Sequence, residues 1–359
     1  MEKLMDRLAL SALYSLPPET AHHAALFALE RGLVGQRAEP DDPILATNVF
    51  GLKFSNPIGL AAGFDKDARV IDAMLSLGFG FVEAGTVTPR PQAGNPKPRL
   101  FRLDADQALI NRLGFNSGGV AAFAQRLIKR QHRKHAPGIV GANVGKNRET
   151  EDGAADYVAC IDQVAGLTDY LVVNLSSPNT PGLRGLQARA PIEDLLRRVQ
   201  LARNRAAPNP KKRPPLLAKV GPDLSPDQLR DIAEVALGVG IEGLIVGNTT
   251  IERPSTLKSA QKNEAGGLSG PPLMEASTAC LAELYRLTRG KLPLIGCGGV
   301  ASGADAYAKI RAGASLVQVY SALIFHGPGL VQRIKRELAA ALRADGFARL
   351  SDAVGRGRC

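Results

Sequence analysis

LPLIGCGGVASGADAYAKIRAGASLVQVY, residues 292–320, holds the decision about the fold. It begins with an apolar run, Leu292–Cys297, and ends with another, Leu316–Tyr320. Between them lie a glycine-rich turn, Gly298-Gly299, and a helix that opens near Ser302. Both runs are predominantly apolar rather than alternating, the pattern of parallel strands covered on both faces. Outward from this unit the same rhythm recurs at Pro57–Ala62, Phe79–Gly85, Ile139–Val144, Tyr170–Leu175, Leu216–Val220 and Gly243–Gly247. Each run is followed by a loop and then a helix candidate. Eight β-then-α units predict an α/β protein of the (β/α)8 TIM-barrel class. An open doubly wound sheet is the competing architecture. Two connections are long, Thr86–Gly118 and Asn248–Gly270, and predict lids or binding loops.

The chain has 359 residues, so a barrel of about 250 residues leaves about 100 over. Hydrophobic residues make up 45% and charged residues 22%, which excludes a disordered or low-complexity protein. Trp is absent and aromatics are 5%, which argues against a base-stacking surface for single-stranded nucleic acid. Cys160, Cys280, Cys297 and Cys359 form no CxxC pair and fit neither a zinc site nor an iron–sulfur cluster. Neither a signal peptide nor an apolar run of spanning length is present, so the expectation is a reducing cytoplasm. The net charge of +11 concentrates in Arg126–His135, Arg197–Arg213 and Arg333–Arg358. It invites nucleic acid, an anionic membrane surface or an acidic substrate as partner. A solvated helix face is the favoured reading of the first two runs.

Residues 1–36 read differently from the rest. Leu4, Met5, Leu8, Ala12, Leu13 and Leu16 recur at helical spacing, and Pro17-Pro18 stops that helix. Thr20 is the expected cap of a second helix, with Ala21, Ala24, Ala25, Ala28 and Leu29 along one side and Gly32 and Gly35 at its end. Such an amphipathic hairpin packs on the main domain, lies at a membrane surface, or does both. The expected organisation is a hairpin over 1–36, a barrel over 37–345 and a flexible basic tail over 346–359.

A barrel of this kind does its chemistry where the strands end. There the chain places Gly63-Phe64-Asp65-Lys66, Thr86, Asn143, Lys146, Asn174 to Thr180, Lys219, Asn248-Thr249-Thr250, Gly298-Gly299 and Tyr320-Ser321. Buried amides must be paired, and this ring of Asn, Thr and Lys has no acid of its own. Its natural complement is an anionic ligand rich in carbonyls. No Asp/Glu/His cluster sits at these ends, which argues against a metal. Bare amides after the seventh and eighth strands suit one phosphate. The stretch is not GxGxxG, because Ala301 breaks it, so a dinucleotide reading fails. FMN, pyridoxal phosphate (with Lys219 as Schiff base) and a sugar phosphate all stay open on these grounds.

GLAAGFDK (59–66), GTVTPRPQAGNPKPRLFRL (85–103), NRLGFNS (111–117), NLSSPNTPGLR (174–184), GGLSG (266–270) and GCGG with LVQVYS together resemble the class 2, quinone-dependent dihydroorotate dehydrogenases. The resemblance runs from about residue 14 to 335. It implies an FMN barrel that oxidises dihydroorotate to orotate in pyrimidine biosynthesis. Electrons then pass to a membrane quinone reached through the hairpin. By similarity Ser177 is the base that takes the C5 proton, with Thr180 and Phe115 as its relay. FMN contacts are implied at Ala62, Gly63, Lys66, Thr86, Asn143, Asn174, Lys219, Gly270, Gly298, Gly299, Tyr320 and Ser321. The substrate contacts implied are Lys66, Asn111, Arg112, Leu113, Gly114, Phe115, Asn174, Asn179, Asn248 and Thr249. His22, Arg102 and Tyr320 would meet at the quinone head. The resemblance also implies a monomer held peripherally at the cytoplasmic face of the inner membrane, with no iron–sulfur partner subunit and no nucleic acid. Soluble class 1 enzymes carry Cys where Ser177 stands. One departure is Gly247, where much of the family has Thr, which puts one FMN contact in question.

Two rival readings differ in kind. An FMN barrel that reduces uridine in tRNA would account for the basic charge, but it needs a catalytic Cys that no strand-end loop before Cys297 offers. A non-catalytic membrane-docking barrel should have lost Ser177 and Lys219, and both are present.

Overall fold

The computed structural model of the chain describes residues 11–34, 39–133, 138–176 and 189–357. Helix α1 spans Pro18–Glu30. A hairpin of β1 (Thr47–Val49) and β2 (Leu52–Phe54) follows, then β3 (Ile58–Leu60), α2 (Ile71–Ser76) and β4 (Phe81–Val87). Next come β5 (Leu100–Leu103), β6 (Ala108–Asn111), α3 (Val120–Gln131), β7 (Ile139–Val144), α4 (Gly153–Val164) and β8 (Tyr170–Asn174). The second half runs α5 (Arg189–Ala206), β9 (Leu216–Val220), α6 (Pro226–Val239), β10 (Gly243–Val246), β11 (Gly267–Ser269) and α7 (Met274–Leu287). It ends with β12 (Leu294–Cys297), α8 (Gly303–Arg311), β13 (Ala314–Val319), α9 (Ala322–His326), α10 (Leu330–Ala344) and α11 (Leu350–Ala353).

Eight of these strands close into a barrel in the order β3-β4-β7-β8-β9-β10-β12-β13, every pair parallel. They are the eight runs read from the sequence. Their uniform burial explains the missing alternation, since one face meets the helices and the other fills the barrel. The interior layer is Phe81, Tyr170, Val172, Leu217, Ile245, Ile295 and Leu316, sealed below by Val49 and Phe54 of the β1–β2 hairpin. A Cβ on Gly141 would fall 2.1 Å from the Tyr170 ring, so the missing side chain is what admits that ring.

The two long connections are more ordered than loops. β5 and β6 pair with each other, and β11 adds to β6, giving a three-stranded antiparallel sheet over the barrel mouth. Phe101, Leu103, Ala108, Ile110, Leu257 and Leu268 form its own small core.

Two expectations need correction. Helix α1 starts at Pro18 rather than after Thr20, with no side-chain cap. A proline at the first helical position costs no hydrogen bond, since that N–H is orphaned anyway. The segment from 346, expected as a flexible tail, is docked as far as residue 357. Leu350 and Ala353 are fully buried, and the amides of Gly355 and Gly357 donate to the carbonyls of Ile310 and Arg311 at 3.1 and 2.8 Å. The apolar residues that anchor it were hidden among its many charges.

Candidate active site

The barrel mouth holds a cavity walled by the strand ends. Thr86 lies near the end of β4, Asn174 ends β8 and Lys219 lies on β9, while Asn248 and Thr249 follow β10. Gly298 and Gly299 follow β12, and Tyr320 and Ser321 follow β13. Ala62, Gly63, Lys66, Asn111, Leu113, Gly114, Phe115 and Gly270 complete the wall.

A hydrogen-bond web fixes the floor. Thr86 Oγ1 donates to Asn143 Oδ1 at 2.6 Å, and Asn174 Nδ2 donates to Thr86 Oγ1 at 2.8 Å. Asn143 Nδ2 donates to Glu83 Oε1 at 2.8 Å, and Gln318 Nε2 to Glu83 Oε2 at 2.6 Å. On the other side Asn248 Nδ2 donates to Ser176 Oγ at 2.7 Å, and Ser176 Oγ donates to Asn174 Oδ1 at 3.1 Å. Each amide is held in one orientation before any ligand arrives, so little ordering cost remains.

Several polar groups are left for a ligand. Lys219 is 3% exposed, and its side-chain ammonium has no hydrogen bond or ion pair among the described residues. Gln318 Oε1 and Thr249 Oγ1 are buried with no partner. The amides of Gly299, Val300 and Ser321 find no acceptor among the described residues. Unpaired buried groups are expensive, so the cavity is built for a polar, anionic occupant. Burial pulls the Lys66 ammonium down to about 8, against the pull of Asp67.

Some predicted residues sit elsewhere. Asn143 lies beneath the floor and orients Thr86 and Asn174. The Arg112 side chain turns away to Glu264, at 2.8 Å, and stacks over Phe101. Ser177, Asn179 and Thr180 lie outside the described residues. Gly247 has φ +117°, and a Cβ there would fall 2.0 Å from the Cys297 carbonyl oxygen, so this backbone accepts no side chain at that position. Sequence reasoning missed Glu83 and Gln318. Their signal was a polar residue set inside the apolar runs Phe79–Gly85 and Leu316–Tyr320.

A second, apolar cavity lies between α1 and the barrel. His22, Arg102 and Tyr320 all line it, together with Ala25, Leu29, Phe64 and Leu323. Arg102 Nη2 donates to the carbonyls of Tyr14 and Leu16 at 2.7 and 3.0 Å. Burial holds His22 down at about 4, helped by the nearby Lys66 charge. Tyr320, pushed up to about 12 by burial, lines both cavities. Leu33, which lines this cavity, is exposed, and so is Phe27 on α1. Among the described residues no helix is long and apolar enough to cross a membrane.

The pattern of the dihydroorotate dehydrogenase family matches residues 44–342. The chain belongs to this family. It is 62% identical over 342 residues to a quinone-type dihydroorotate dehydrogenase of Xanthobacter autotrophicus, covering 95% of each chain. To the mitochondrial quinone-type enzyme of Mus musculus it is 50% identical, over 95% of this chain and 87% of the relative. The crystal structure of dihydroorotate dehydrogenase from Eimeria tenella in complex with ferulenol superposes with a TM-score of 0.90. Identity there is 44%, over 96% of this chain and 98% of the other. The dihydroorotate dehydrogenase pattern thus covers the whole barrel, including the sheet over its mouth.

Proposed function

We propose that this chain oxidises dihydroorotate to orotate with FMN as its flavin and passes the electrons to a quinone, in pyrimidine biosynthesis. The observation that carries the reading is the pair of cavities sharing Tyr320, one polar and amide-lined, the other apolar and lined in part by the exposed Leu33. A water-soluble pyrimidine acid suits the first, and a lipid-soluble quinone suits the second.

The residues fit FMN on three grounds: the free amides of Gly299, Val300 and Ser321, the unpaired Lys219, and the orphaned Gln318 Oε1. The Gly298-Gly299 and Tyr320-Ser321 loops would hold the phosphate. Lys219, Thr86, Asn174, Ala62, Gly63 and Gly270 would hold the flavin ring. When bound, FMN would supply a two-electron acceptor for the hydride of dihydroorotate.

The chain's own residues do the rest. Asn111, Asn174, Asn179, Asn248 and Thr249 bind the amide and imide groups of the pyrimidine, with Leu113 and Gly114 closing its side. Lys66 pairs with the carboxylate. Ser177 takes the C5 proton, and Thr180 and Phe115 shape its exit path. Lys219 stabilises negative charge gathering on the flavin side. His22, Arg102 and Tyr320 seat the quinone head. Attachment is peripheral, at the cytoplasmic face of the inner membrane, through the hairpin and a net charge of +11.

Two anaerobic half-reactions test this. Purified enzyme mixed with dihydroorotate should bleach its flavin, and added quinone should restore the colour. Restoration by NAD or fumarate but not by quinone would overturn the acceptor assignment.

A further inference from the structure

Lys309 lies on α8, outside the cavity wall, with its side chain fully buried. An ammonium so placed needs a partner. Its Nζ donates to Ser277 Oγ at 2.6 Å, the one hydrogen bond it makes among the described residues. Ser277 Oγ in turn donates to the Gly298 carbonyl at 3.1 Å. Cys280 on α7, Cys297 on β12 and Asp305 on α8 are the other groups that act on it. Asp305 is already engaged, accepting from the Ala301 amide at 3.0 Å and the Ser302 hydroxyl at 2.8 Å. The positive charge therefore has no carboxylate of its own.

What it does have is the back of the phosphate loop. A Cβ on Gly299 would fall 2.5 Å from Met274 Cα, so the loop presses on the start of α7 with one side. Its other side faces the cavity with unpaired amides. Ser277 sits where the two meet. We propose that Lys309 is the buried counter-charge of the cofactor phosphate, acting from beneath the Gly298-Gly299 loop while Ser277 holds it in place. This rests on the FMN reading above. Lys309 is a positioning residue, since it reaches no reacting atom.

Burial pulls the Lys309 ammonium down to about 8, while Cys297, Cys280 and Asp305 pull the other way. A phosphate nearby favours the charged form and raises that value. FMN should therefore bind more weakly as pH rises above about 8, whereas riboflavin, which lacks the phosphate, should be indifferent to this amine.

The test equilibrates holoenzyme with FMN and riboflavin mixtures and reads the ratio of flavins bound after gel filtration. Lys309→Met should lose selectivity for FMN by about tenfold or more, and Lys309→Arg should keep most of it. Ser277→Ala leaves the charge in place and should lose less than Lys309→Met. If Lys309 only pins the structure, Lys309→Met weakens both flavins alike and the ratio stays at the wild-type value, which overturns the proposal. The wild-type ratio read from pH 7 to 9.5, with Cys297→Ser as control for the thiol at the cavity, is independent of whether any Lys309 variant folds. It should fall with rising pH in both proteins; a constant ratio overturns the proposal. A wild type that takes riboflavin as readily as FMN at pH 7 would overturn the FMN reading itself.

Discussion

The rings of Tyr320 and Phe64 meet edge-on at 5.8 Å, and Phe64 meets His22 in the same way at 5.2 Å. Tyr320 lines both the polar and the apolar cavity, whereas Phe64 and His22 line the apolar one. Tyr320 is fixed on the polar side by donating to the Gly63 carbonyl at 3.3 Å. The two cavities meet at the Tyr320 ring, with Leu100 and Leu109 also common to both walls.

His22 is held neutral through the physiological range, because its value near 4 lies below that of an ordinary histidine. The quinone half-reaction should therefore show no break between pH 5.5 and 7.5 attributable to this ring. His22→Ala should raise the quinone requirement about tenfold while leaving flavin reduction by dihydroorotate unchanged. Stopped-flow measurement of both half-reactions checks this, and equal slowing of the two would remove His22 from the acceptor side.

Lys66 makes the opposite pH prediction. Its ammonium is present below about 8 and is lost as pH rises through that value. A substrate carboxylate stabilises the charged form, so affinity is full below pH 8. Above it, kcat/KM for dihydroorotate should fall up to about tenfold per pH unit. Lys66→Met should raise KM more than it lowers kcat and should abolish the break. A wild-type profile flat to pH 9.5 would contradict the assignment.

Ser177 stands just beyond Ser176, whose hydroxyl is locked between Asn174 and Asn248. The Ser176 hydroxyl is thus already engaged, and the base proposed above is the residue after it, Ser177. Ser177→Ala should slow flavin reduction at neutral pH by about 10²- to 10⁴-fold while orotate still binds. Ser177→Cys should keep part of the rate. Reduction of the flavin at the wild-type rate in Ser177→Ala would end its role.

The barrel was legible because the eight apolar runs report burial on both faces, and burial is a property of local composition. The amide ring was legible because those runs end where Asn, Thr and Lys begin. The sheet of β5, β6 and β11 was not, since its pairing joins Asn111 to Gly267 across 156 residues, a distance no local pattern records. Glu83 and Gln318 were missed for a related reason. Each appears as a polar residue inside an apolar run, and only barrel closure brings them within 2.6 Å. The docked C-terminal segment was hidden by its charge, because Leu350 and Ala353 are few among many arginines.

Lys219 is the buried cation of the cavity itself, and its ammonium has no partner among the described residues. Lys219→Met keeps the bulk and removes the charge. The purified variant should carry less flavin, and its flavin should be reduced more slowly by about 10²-fold, since it loses one preorganised charge. Relieving an unpaired buried charge should also leave flavin-free protein no less stable, read by its Tm. Unchanged flavin content together with an unchanged reduction rate would remove Lys219 from the site.

The barrel closes without α1, yet α1 is tied to it. Glu19 pairs with the buried Arg99 at 2.7 Å, and Glu30 binds Arg69 at 2.6 Å. Leu26 and Leu29 pack into the main core. Removing residues 1–36 therefore exposes the apolar cavity wall, including Phe64, Leu77 and Leu323, and unpairs two arginines. The strand pairing, the interior layer and the hydrogen bonds of the polar floor use no residue of the removed segment. The truncated protein should stay folded with a lower Tm, retain its flavin and reduce it with dihydroorotate at near the full-length rate. Reoxidation by a long-chain quinone should fall by at least about tenfold, because the entrance and His22 are gone. Sedimentation with anionic vesicles should fall too, and salt should weaken it in the full-length protein, as expected of a shallow amphipathic contact helped by charge. The ratio of the two half-reactions decides the matter. Loss confined to quinone reduction assigns the hairpin to electron delivery, whereas equal loss of both makes it a structural cover.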